Sequence, residues 1–137
     1  MRGRAIRRVG AVVLSLVVLL AVAGCAEPPT GTVTVTEAEN GGTVEVAREG
    51  ELVVELESNP TTGFDWYLDG ALPSQLTTAS DDYKSSGGES IVGAGGVRTI
   101  TYRAAATGTG TLTLVYKQPW AGGAGPAQTF TITVSVP

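Results

Sequence analysis

The sequence predicts an all-β domain, a sandwich or barrel of many short strands. Three observations carry this reading. Apolar residues alternate with polar ones at period two along most of the chain after residue 30. Glycine, proline and asparagine clusters interrupt the alternation at short intervals. No stretch after residue 25 combines apolar spacing of three and four with helix caps. β-Branched and aromatic residues at period two suit a pleated strand with one wet and one buried face, and closely spaced short strands argue against α/β alternation.

The elements follow in order. Thr32-Val33-Thr34-Val35-Thr36 and Thr43-Val44-Glu45-Val46 alternate, and Leu52 to Glu57 is a mostly apolar run bracketed by acids. A short strand contains Trp66. Thr99-Ile100-Thr101-Tyr102, Thr111-Leu112-Thr113-Leu114 and Thr129-Phe130-Thr131-Ile132-Thr133-Val134 complete the set. Turn signals stand at Asn40-Gly41-Gly42, Glu49-Gly50, Asn59-Pro60, Ser86-Gly87-Gly88 and Gly108-Thr109-Gly110. The polar stretch from about Asp81 to Arg98 reads as one long loop, a length that in a compact domain marks function or disorder.

The N-terminal region reads as a leader. Arg2, Arg4, Arg7 and Arg8 precede an apolar run from Val9 to Ala23. That run falls short of the roughly 20 residues of a spanning helix and fits a secretory signal. Val22-Ala23-Gly24-Cys25 is similar to the lipobox of bacterial lipoproteins. That resemblance implies cleavage before Cys25 and its diacylation, palmitate included. The organisation is then a signal peptide over 1–24, a lipidated tether over 25–30 stiffened by Pro28-Pro29, and one domain over 31–137. The expected location is the outer face of the bacterial cell membrane, held by the lipid anchor, since several acyl chains anchor where one does so marginally.

Composition excludes several functions. Without the leader, five basic residues face thirteen acidic ones, a net charge of −8 that repels phosphate backbones, so no nucleic acid is expected as partner. The chain has no histidine, which removes the commonest general base and metal ligand. Its one cysteine, Cys25, rules out an intramolecular disulfide and, once acylated, a thiol nucleophile. A paired-carboxylate hydrolase is left open by counts alone. No metal, no cofactor and no catalysis are expected.

Three connections are richer than a turn requires. In Asn59-Pro60-Thr61-Thr62-Gly63-Phe64, Pro60 fixes its own φ and restricts Asn59, and Gly63 permits a positive φ. Local sequence fits either a plain Asn-Pro turn or a stiffened tip. Gly93-Ala94-Gly95-Gly96 permits close backbone approach or serves as a flexible link, and it lacks the Gly-Lys-Ser/Thr of a phosphate loop. Gln118-Pro119-Trp120, after Tyr116-Lys117, sets a tryptophan before a glycine-rich run, as an exposed anchor or folded onto the sandwich edge. Phe64 and Trp66, two apart, read as core.

Together these segments resemble the chagasin family of cysteine-protease inhibitors. Asn59 to Phe64 is similar to its Asn-Pro-Thr-Thr-Gly-aromatic loop, with Trp66 in the place of its following Trp. Gly93 to Gly96, continued by Val97-Arg98, is similar to its glycine-rich loop, and Pro119-Trp120 to its Arg-Pro-Trp loop. Order and spacing agree from Thr32 to Val136. Gln118 stands where arginine is usual and Ala121 where an acid is common. The resemblance implies an immunoglobulin-like antiparallel β-sandwich, acting as a monomer, whose three loops form a wedge that blocks the cleft of papain-like cysteine proteases without covalent chemistry. Thr61 and Thr62 would lie over the catalytic pair, with the glycine-rich loop and Trp120 on either side. The rival reading is a surface adhesion or carbohydrate-binding module stacking ligands on Trp120 and Tyr83; a purely structural envelope lipoprotein is a third.

In a lipoprotein-processing bacterium, Cys25→Ser should abolish incorporation of labelled palmitate and move the protein to the soluble fraction. Labelling that survives the substitution would contradict the leader assignment.

Overall fold

The computed structural model describes residues 31–87 and 93–137. The leader, Cys25, the tether and residues 88–92 lie outside the described residues. Among the described residues there are eight strands: β1 (Thr32–Val35), β2 (Thr43–Glu45), β3 (Glu51–Ser58), β4 (Asp65–Leu68), β5 (Leu76–Ser85), β6 (Gly96–Ala104), β7 (Gly108–Lys117) and β8 (Gln128–Val136). The 3₁₀ turns Glu37–Glu39 and Pro60–Thr62 lie between strands. The strands form two four-stranded sheets, ordered β1-β3-β6-β5 and β2-β8-β7-β4.

Alternation explains the core. Along β3, Leu52, Val54 and Leu56 point inward while Glu51 and Glu57 remain wet. Along β8, Phe130, Ile132, Val134 and Val136 are buried. They meet Leu112, Leu114, Trp66, Ile100 and Tyr102 between the sheets, the expected inner layer of a sandwich.

The all-β sandwich is as expected, and two details differ. Four strand pairs are antiparallel, but β1–β3 and β2–β8 are parallel, so both sheets are mixed. Neither parallel pair is joined by a hairpin: β2 lies in the other sheet between β1 and β3, and β2 and β8 stand near opposite ends of the chain. Side-chain alternation is the same for either direction, so direction was not readable from it. The second correction concerns Asp81 to Arg98. Asp81 to Ser85 belong to β5 and Gly96 to Arg98 to β6, so the connection is confined to residues 86–95. β5 is an edge strand, its residues from Thr77 to Lys84 exposed, with a bulge between Thr78 and Ser80. Having no apolar face, it shows no alternation, and its charged residues suit an edge that must not recruit another strand.

At the loop end, Arg98 occupies the inward parity of Ile100, Tyr102 and Ala104 on β6. Its guanidinium pairs with Asp65 of β4 and, in two-pronged fashion at 2.6 and 2.7 Å, with Asp81 of β5. Hydrogen bonding to Asp81, with both negative charges nearby, raises the pKa of this arginine despite its partial burial. One side chain thus ties three strands in two sheets. Removing it strands the half-buried Asp65 carboxylate and unties exposed Asp81, so Arg98→Ala should lower unfolding stability by about 2 kcal/mol, read as an earlier urea midpoint. Arg103→Ala, which breaks a solvent-exposed pair with Glu49, should leave the midpoint near the parent's. Equal midpoints for the two variants would refute the strut.

Candidate interaction surface

The loop from Asn59 to Phe64 leaves one sheet at β3 and enters the other at β4. Pro60 opens a 3₁₀ turn and Gly63, at φ 80°, closes it in the left-handed region that glycine tolerates. The turn is held internally. Thr62 N donates to Asn59 O at 3.1 Å and Gly63 N to Pro60 O at 2.9 Å. The Thr61 hydroxyl donates to Asn59 Oδ1 at 2.5 Å, and the Thr62 hydroxyl to Asn59 O at 2.7 Å. Pro60, Thr61 and Thr62 are exposed at the tip.

Its two legs are stitched together below. Ser58 Oγ donates to Asp65 Oδ1 at 2.9 Å, and Trp66 Nε1 donates across to Glu57 O at 2.8 Å. Asn59 N donates to the Tyr116 hydroxyl at 2.9 Å. The Tyr116 ring lies 5.4 Å from that of Phe64 and 5.2 Å from that of Trp66. Trp66 is core, as expected; Phe64 is only half-buried and sits at the rim, stacked on Tyr116. Tyr116, Asp65 and Arg98 organise this end of the molecule and were not among the sequence candidates. The available signal was parity, since Arg98 falls on the inward side of an alternating strand.

The glycine-rich loop reaches the first through Asn59, whose Nδ2 donates to Gly93 O at 3.3 Å. Gly93 is at φ 85°, and Gly95 O accepts from Ser86 N at 2.9 Å. Gly93 is exposed, and Ala94 and Gly95 are half-buried beside the first loop. Gly96 differs: it is buried within β6, paired with Ser58 and Ser85, and a Cβ there would overlap the Lys84 carbonyl. Its role is to let strands pack.

The third loop meets the first from the other side. Gln118 Nε2 donates to Thr62 O at 3.1 Å. The Trp120 ring lies against the Cα of Gly63, where a Cβ would overlap ring atom Cη2, yet 53% of the residue remains exposed. Pro119 beside it is exposed. Asn59, Pro60, Thr61, Thr62, Gly63, Phe64, Gly93, Ala94, Gly95, Gln118, Pro119 and Trp120 are therefore brought to one end of the sandwich. Between the first and second loops lies an open cleft of about 370 Å³, bordered by Asn59, Gly95, Tyr116 and Gln128. The exposed threonine hydroxyls donate within the loop, which suits contact rather than bond making.

Gly63→Ala tests the loop packing. The methyl would collide with Trp120 and force a side chain into positive φ, at a cost of about 1 kcal/mol from the backbone alone. Acrylamide quenching of Trp120 should rise while buried Trp66 stays protected. Unaltered quenching would show that the two loops do not touch.

Residues 45–134 match the chagasin family peptidase inhibitor I42. Chagasin of Trypanosoma cruzi is 37% identical over 102 residues, covering 72% of this chain and 92% of that protein. Amoebiasin-1 of Entamoeba histolytica is 33% identical over 105 residues, covering 75% and 98%. Among solved structures, the cysteine protease inhibitor EhICP2 from Entamoeba histolytica superposes with a TM-score of 0.71 at 26% identity, over 81% of this chain and all of that one. Amebosin superposes with a TM-score of 0.62 at 32% identity, over 80% of this chain and all of that one. The matched segment runs from β2 into β8 and includes all three loops, and on these grounds the chain belongs to the chagasin family of peptidase inhibitors.

Proposed function

We propose that this protein is a reversible, non-covalent inhibitor of papain-like cysteine proteases that fills the active-site cleft with its three-loop tip. The observation that carries the reading is the seating of Trp120 on Gly63, which joins an exposed aromatic anchor to the threonine-bearing turn. Thr61 and Thr62 would enter above the catalytic cysteine. Gly93 to Gly95 would line one wall, and Pro119 and Trp120 the other.

The tip also has a reason to resist cleavage. A thiolate attacks a carbonyl presented in an extended chain, with reacting atoms brought to near-attack distance. Here the carbonyls of Asn59, Pro60 and Thr62 already accept internal hydrogen bonds in a 3₁₀ turn. Stretching the turn into a substrate would break all of them. Rigid loops on a β scaffold also lose little entropy on docking, which favours affinity.

The protein acts as a monomer with no catalysis of its own. Export and acylation at Cys25 would place the inhibitor at the outer face of the cell membrane. The acidic surface left after leader removal suits an extracellular protein that avoids nucleic acid.

Purified protein should inhibit papain at micromolar concentration, with activity recovered on dilution and the inhibitor recovered uncut. Trp120→Ala should weaken inhibition by about 2 kcal/mol, as truncation of a buried interface aromatic does. Papain activity unchanged by micromolar protein, or steady hydrolysis between residues 59 and 64, would reject the proposal.

A further inference from the structure

We infer that Gln118 is a positioning residue: a two-armed amide strut that locks the third loop to the first in the free protein, rather than a group that reaches for the protease. The inference rests on the proposed inhibitory reading for its consequence, but its physical content lies in the uncomplexed molecule. One arm is Nε2, donating to the Thr62 carbonyl at 3.1 Å. The other is Oε1, accepting from Ala124 N at 2.8 Å. The backbone closes the ring, with Gln118 N donating to Ala124 O at 3.3 Å. Between these points the chain folds back tightly, with Gly123 N donating to Trp120 O at 3.0 Å. A Cβ at Gly123 would lie 2.8 Å from Gln118 Cβ and 3.0 Å from Trp120 Nε1, so the glycine is what admits the strut and the indole side by side.

The chemistry selects glutamine. Thr62 offers an acceptor and Ala124 a donor, so the bridging group must donate at one end and accept at the other. A carboxylate would accept from Ala124 and face the Thr62 carbonyl with a second acceptor. A guanidinium or ammonium, all donors, would serve Thr62 and leave the Ala124 N–H unanswered. An arginine here, all donors, could not make this bridge. Of these groups only the amide satisfies both, with Nε2 toward Thr62 and Oε1 toward Ala124. Trp120, two residues on, is thereby held on Gly63 before any partner arrives.

Loss of the strut should reduce the fraction of molecules with a preassembled tip, and the apparent inhibition constant scales inversely with that fraction. The test compares Gln118→Glu, which keeps size and shape, and Gln118→Met, which keeps length and flexibility without an amide. Two readouts are needed: acrylamide quenching of Trp120 in the free variants, and papain inhibition kinetics. Both variants should show raised Trp120 quenching and a cooperative unfolding transition whose midpoint is only modestly earlier than the parent's. Both should inhibit roughly tenfold less well, mainly through slower association, as expected for the loss of about two modest hydrogen bonds. A side chain that simply touched the protease would instead speed dissociation and leave Trp120 in the free variants as in the parent. That pattern, or parent-like quenching in either variant, would overturn the assignment. If the parent failed to inhibit papain, the functional reading would fall, while the quenching data would still decide the strut.

Discussion

The carboxylate of Asp65 is the constraint on which the rest of the tip depends. The loop of Asn59 to Phe64 bridges two sheets that could otherwise slide relative to each other. Asp65, at its exit, accepts from the Ser58 hydroxyl at its entrance, from Trp66 N, and from Arg98 between the sheets. A charge with this many donors is well satisfied, which is what makes its partial burial affordable. Once both legs are fixed here, Asn59 falls within reach of Tyr116 and the 3₁₀ turn can form. The Trp120 ring then has a fixed surface, the bare Cα of Gly63, on which to lie.

The remaining contacts extend this one outward. Asn59 reaches out to the glycine-rich loop and Gln118 reaches back from the third loop to Thr62, so two carboxamides flank the central turn. Such bonds add little to global stability, because their groups are solvent-accessible and water competes. Their effect lies elsewhere. A tip ordered beforehand avoids the entropic cost of fixing loops and side chains on docking, which often separates weak from tight interfaces of equal area.

Much of this was legible in the sequence, for reasons that can be named. β3, β7 and β8 announced themselves because one face of each packs on the core, so Leu52, Leu112 and Ile132 recur at period two. β5 did not, because an edge strand wet along nearly its whole length has no reason to alternate. The parallel pairings of β1 and β2 were equally hidden, since the parity of side chains carries no direction. The three loops were singled out by unusual local chemistry, but their convergence came from resemblance to a family and not from spacing. Phe64 is instructive: two residues from Trp66, it shares its face but lies beyond the strand's edge, at the rim. Asp65 escaped notice, and Arg98 and Tyr116 were noted only as neighbours of the loops, because isolated polar residues in strands look like surface until the opposite sheet is known.

Backbone ¹⁵N relaxation of the free protein tests the central claim most directly, since a plug assembled in advance must be rigid without its target. Order parameters near 0.85 across residues 59–64 and 118–124, matching those of the strands, are the predicted result. Values below about 0.6 in either segment would contradict it, because the tip would then take shape only on the enzyme.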